Sequence, residues 1–161
     1  MSTPIFTIRL RLDEYGTPTI TGPKPLHLVS GQQFVINLTL EQLNTATVPP
    51  SYSVLDITGW TGNFRAKDVI TDTTTKISVP FVLVTPASGI GTFTVTAAQN
   101  ANFIDHGVAE FEFASDGTNM DLKVEFAINV AESVSYYTKK HRREPRCQIL
   151  TFLSIPPWDL Q

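Results

Sequence analysis

Apolar and polar residues alternate with a period of two over most of the chain, the signature of strands with one face on a core. Residues 5–12 set Phe6, Ile8, Leu10 and Leu12 against Thr7, Arg9 and Arg11, which predicts a half-buried strand. A Gly and Pro cluster from Gly16 to Pro25 breaks it. Residues 33–40 predict a second strand, with Phe34, Ile36, Leu38 and Leu40 inward and Val35, Asn37 and Thr39 outward. Residues 41–53 show no pattern and contain Pro49-Pro50, which remove backbone donors, so a loop is expected there.

Alternation resumes at Trp60, with Gly62, Phe64 and Ala66 on its face and Thr61, Asn63, Arg65 and Lys67 on the other, and runs to about Asp68. After a polar turn over 69–75, residues 76–84 continue the period through Ile77, Val79, Phe81 and Leu83, and Pro80 marks this strand as an edge or a bulge. Ser88 to Gly91 turns the chain into a strand over 92–96, and residues 97–104 are the one expected helical turn. Residues 107–114 and 120–130 read as a hairpin about Asp116-Gly117, a step that tight turns favour. Seven or so short strands predict an all-β fold: an antiparallel β-sandwich of about seven to eight strands, Ig-like or Greek-key. It would occupy residues 1–132, with an extended C-terminal arm over 133–161.

Composition agrees with one folded domain plus an appendage. The chain has 161 residues, of which 42% are apolar and 17% charged, unlike sequences that stay disordered. Charge divides it more sharply. Residues 1–138 hold seven Lys and Arg against thirteen Asp and Glu, whereas residues 139–161 hold five against two. The net charge of −3 gives no general attraction to nucleic acid. The single cysteine, Cys147, excludes an intrachain disulfide and a multi-cysteine zinc site. No apolar run approaches the roughly 20 residues that span a bilayer, so no membrane partner is expected, and the N-terminus lacks the pattern of a secretory signal.

A search for chemistry returns little. No G-x-S-x-G stretch occurs, and His27, His106 and His141 have no metal-like spacing. Glu110 and Glu112 share the outward face of a strand, where a charged solvent face is the expectation, and Asp116 to Asn119 lacks the acidic ladder of a calcium loop. No catalytic residue, metal or cofactor is predicted, and the chain is not expected to be an enzyme.

The arm carries the feature that exceeds a plain folded domain. Lys139, Lys140, Arg142, Arg143 and Arg146 put five cations in eight residues, and Ile149, Phe152, Ile155 and Trp158 follow in an apolar, aromatic stretch. A solvated linker accounts for the charges but not for the apolar residues, which normally lie on their own domain or on a partner. Phosphate binding accounts only for the charges. Docking onto a neighbouring subunit, by strand addition through residues 147–155, accounts for both.

Three stretches also carry a resemblance. Residues 54–68, VLDITGWTGNFRAKD, residues 89–99, GIGTFTVTAAQ, and the hairpin Gly107–Val130 resemble elements of the N-terminal β-sandwich domains of tailed-phage upper baseplate proteins. Gly31–Leu40 is similar to an early strand of that family. The resemblance covers residues 30–131 and ends short of both termini. It implies a structural protein of the virion, of tail, baseplate or fibre type, that binds other virion proteins and forms a homo-oligomer; a capsid decoration or head-fibre protein is the alternative within that class. A carbohydrate-binding module is the alternative from another class, with Trp60, Tyr52 and Trp158 as its candidate aromatics.

Overall fold

A computed structural model describes residues 2–69, 71, 73–102, 107–115 and 122–131. Two sheets pack face to face as a β-sandwich. Sheet A has the order β2-β1-β4-β9-β8, built from β1 (Ile5–Leu12), β2 (Pro18–Thr21), β4 (Phe34–Asn44), β9 (Ile90–Val95) and β8 (Val82–Thr85), with β5 (Ser51–Val54) pairing on the far end of β4. Sheet B has the order β3-β11-β10-β6-β7, from β3 (Leu26–Val29), β11 (Leu122–Ala131), β10 (Gly107–Ala114), β6 (Thr61–Lys67) and β7 (Ile77–Pro80).

The alternation read from the sequence decides which side chains meet between the sheets. Ile8 and Leu10 of β1, Ile36 and Leu38 of β4, Phe64 of β6 and Phe111 of β10 are fully buried. Phenylalanines dominate the interior: Phe93 and Phe111 stack across the two sheets with centroids 5.3 Å apart and planes 17° apart, and Phe126 lies 4.9 Å from Phe111. Offset and edge contacts of this kind add about 0.5–1.5 kcal/mol per pair beyond the burial of apolar area.

Three expectations need correction. The antiparallel rule fails at two pairs, since β1 runs parallel to β4 and β3 runs parallel to β11, and hydrophobic alternation is blind to strand direction. The described residues hold eleven strands instead of seven or eight: β2 lies inside the Gly and Pro cluster, β3 follows directly on its last proline, and β5 overlaps the end of the expected loop. Finally, the strand expected over 76–84 is two strands. Its first half, β7, pairs with β6 in sheet B, and its second half, β8, pairs with β9 in sheet A.

Phe81 is the single residue between them. Its N–H donates to the Gly62 carbonyl at 2.8 Å, a last bond to sheet B, before the chain crosses to sheet A. Its ring packs at 5.0 Å from Phe93 and 5.1 Å from Phe113. The period of two survives the crossing, so the sequence shows one strand where the fold has two. Pro80 ends β7 on the edge of sheet B, as its missing N–H requires.

The expected helical turn forms as α1 (Ala97–Asn100), closed by a capping box in which the Thr96 side chain accepts from the Gln99 N–H and the Gln99 side chain accepts from the Thr96 N–H. Asn100 is fully buried, and its Nδ2 donates to the Val29 and Gln32 carbonyls, each at 2.7 Å. It ties α1 to the turn between β3 and β4.

Candidate functional site

The outer faces of the two sheets differ in chemistry. On sheet B, Glu110 and Glu112 of β10 point away from the core yet are nearly buried, with 4% and 8% of their surface exposed. They are covered by the cations of both neighbouring strands. Lys123 of β11 bridges Glu110 at 2.9 Å and Glu125 at 3.2 Å, Lys67 of β6 reaches Glu110 at 3.6 Å, and Arg65 holds Glu112 at 2.9 Å. Burial pushes the Glu110 carboxyl up, and the hydrogen bond and charge of Lys123, joined by Lys67, outweigh it and hold the group below its ordinary value. Donating to Glu110 in turn raises Lys123 against its own partial burial, with Glu125 adding to the effect. A freely solvated charged face was expected at these two glutamates. The face is instead a closed ladder in which three carboxylates are matched by three cations.

Sheet A presents a second, smaller charge group. Glu41 of β4 accepts from Arg9 at 3.1 Å and Arg11 at 2.8 Å on the parallel strand β1, and the Arg11 guanidinium lies 4.5 Å from the centroid of the Tyr52 ring. Further along the same face the chemistry turns apolar. Val54 stands opposite Glu41 and Ile90 opposite Thr39, two residues back on β4, so both project outward side by side. Val82 stands opposite Thr92 on β8, and Val84 lies in the bulge between Leu83 and Thr85. Exposures of 55% for Val54, 36% for Ile90, 54% for Val82 and 59% for Val84 make this an uncovered apolar patch at one border of sheet A. Sequence reasoning passed over it. The signal was the run Phe81-Val82-Leu83-Val84, which is apolar on both faces where a half-solvated strand would be polar on one.

Among the described residues, the candidate sugar-binding aromatics Trp60 and Tyr52 do not stack on one another. Trp60 is half-buried and packs on Phe113 at 6.5 Å, and Tyr52 carries the Arg11 guanidinium. The partner-binding residues expected in the arm, from Lys139 to Trp158, lie outside the described residues, as do Trp158 and the Asp116-Gly117 turn. The described residues line small clefts open to solvent, among them one of about 90 Å³ between Pro4, Phe6, His27, Leu28 and Phe34, and a shallower one of about 210 Å³ beside Pro18, Ile20 and Val124. Both are smaller than the roughly 300–1,000 Å³ of typical small-molecule sites. Among the described residues no group of three or more His, Cys, Asp or Glu could hold a metal ion, and no helix is long and apolar enough to cross a membrane.

The stretch 54–68 forms the joint by which the chain passes from β5 in sheet A to β6 in sheet B. Asp56 Oδ1 accepts from the Thr58 N–H at 2.9 Å and from its hydroxyl at 2.6 Å, which lowers the Asp56 carboxyl from its ordinary value. The Ile57 side chain is fully buried, its N–H donates to Pro86, and its carbonyl accepts from Trp60. Gly59 sits at φ +82°, where a glycine closes the turn without a Cβ penalty. No protein-family model matches the chain, and no curated protein matches it.

Proposed function

We propose that this chain is a non-enzymatic structural component of a bacteriophage virion, of tail, baseplate or fibre type, that assembles as a homo-oligomer and holds neighbouring virion proteins through its C-terminal arm. The observation that carries this reading is the joint at residues 54–67. The stretch on which the resemblance rests most is the one the fold uses to pass between sheets, with Asp56, Ile57, Gly59 and Trp60 each doing a separate part of that work. The sandwich supports the reading in a second way, because its aromatic interior and charge-matched outer face make a rigid body from which an arm can act. Arg142 and Arg143 would meet acidic surface on a neighbour, and Phe152 and Trp158 would fill apolar pockets, as aromatic anchors do at interfaces.

Immunoelectron microscopy of particles from the source lysate, with antibody raised against the full chain, tests the assignment. Label at the tail end is the expected result. Label over the head shell would favour the capsid decoration alternative, and particles without label would overturn the virion reading.

A further inference from the structure

We propose that the β8 edge, with the apolar patch of Val54, Val82, Val84 and Ile90 beside it, receives the arm of a second copy of this chain, residues 147–155 adding as a strand along β8. This rests on the reading of residues 133–161 as a docking arm, and goes beyond it by naming the surface that the arm occupies.

The edge itself comes first. Strand β8 pairs with β9 on one side, and among the described residues its backbone has no partner on the other. An open edge offers main-chain donors and acceptors to any strand, and proteins usually blunt such edges with charge or proline. Edge strands β2 and β7 contain Pro18 and Pro80. Strand β8, Val-Leu-Val-Thr, contains neither proline nor charge, and it borders the apolar patch of the same sheet.

The occupant follows from the length and chemistry of the chain beyond β11. Thirty residues follow Ala131, and the run Cys147–Ile155 is free of charge, with Ile149, Thr151, Leu153 and Ile155 at alternate positions. Its first residue is 16 positions past Ala131. An extended chain of that length spans about 50 Å, several times the radius of gyration of about 14 Å expected for a domain of this size. Ala131 ends beside β3, at the border of sheet B opposite to β7, and β7 leads through Phe81 directly to β8. An arm leaving there meets a neighbour's β8 without wrapping round its own domain. Once seated, alternate apolar side chains of the added strand cover Val82 and Val84, which otherwise face water.

The test uses full-length chain and its mass in solution by light scattering. Wild type is expected at a multiple of 17.8 kDa. Both V82K/V84K, which alters exposed positions, and I149D/L153D in the arm are expected to fall to the 17.8 kDa monomer with circular dichroism unchanged. Mixing the two variants in equal amounts should restore a two-copy species, since one brings an intact arm and the other an intact edge. As a measurement independent of any variant's folding, excess peptide of residues 144–161 should dissociate the wild-type oligomer. An oligomer that survives V82K/V84K and the peptide but is lost in I149D/L153D would overturn the β8 assignment and leave the arm reading standing. An oligomer that survives all three, or a monomeric wild type, would overturn both self-docking by the arm and its β8 seat.

Discussion

The ring of Phe81 occupies the space that a side chain at position 91 would need: a Cβ built on Gly91 falls inside contact distance of its Cζ and both Cε atoms. Phe81 is the residue at which the chain changes sheets, and Gly91 is the position on β9 that lets the far end of its ring approach the strand. Gly62 plays the same part for Phe113, whose Cδ1 would lie 2.5 Å from an added Cβ. The crossing and the two glycines form one packing unit.

Gly91→Ala should therefore destabilise the domain by about 1–3 kcal/mol, the usual cost of overpacking a close-packed interior. The loss should shrink in the background of Phe81→Leu. A thermal or urea double-mutant cycle with a coupling near zero would show that the ring and the glycine do not constrain each other.

Gly59 has nothing within 4 Å of a built Cβ, so space is not at issue there, and φ is +82°. Gly59→Ala should cost about 1–2 kcal/mol through backbone strain alone. Gly59→Asn should recover part of it, because Asn tolerates the left-handed region better than Ala does. Equal stability of wild type and Gly59→Ala in urea titration would refute this.

Acid should loosen the outer face of sheet B. The folded-state carboxyl of Glu110 lies below its ordinary value of 4.5, so it contributes stability above that pH, and the contribution is lost as pH falls through the lower folded value. Lys123 is raised above 10.5, and its contribution is present below that value and lost as pH climbs through the raised one. Glu110→Gln, which leaves Lys67 and Lys123 without that charge partner, should cost about 1.5–3 kcal/mol at pH 7. Its stability should also vary less between pH 5 and pH 3 than that of wild type, as read by melting temperature across the range.

Asn100 is a donor between two carbonyls, and its chemistry at that position is specific. Asn100→Asp would set an acceptor against the Val29 and Gln32 oxygens, and should lose about 3 kcal/mol or more, whereas Asn100→Ala should lose less because it leaves only the two carbonyls unmet. A melt in which Asp is tolerated better than Ala would show that the amide does not hold α1 to the β3–β4 turn.

What the sequence made legible is what period two encodes. The inward sets of β1, β4, β6, β10 and β11 follow directly from alternation, because side chains on a strand have only two faces to choose between. Strand direction and sheet membership are not encoded in that way. Residues 77–85 keep their alternation while passing from one sheet to the other, and β1 and β3 pair in parallel with strands that lie far along the chain. Strands β2 and β3 were hidden because each is only four residues long and proline opens or precedes it, which reads locally as a turn. The valines of β8 were legible in principle, as an apolar run with no polar face. The arm was singled out on charge and aromatic content alone, and its residues lie outside the described ones.

Strand β11 pairs with β10 over its first seven residues, Leu122 to Ile128, and with β3 over its last four, Ile128 to Ala131. Tension applied through residues 132–161 would thus run along the axis of a strand bonded over its whole length, first to β3 and then to β10. Hydrogen bonds perpendicular to that axis are loaded in shear and must yield together, whereas a strand peeled from an edge gives way one bond at a time. A neighbour hung on this arm would load those bonds in shear rather than peel them.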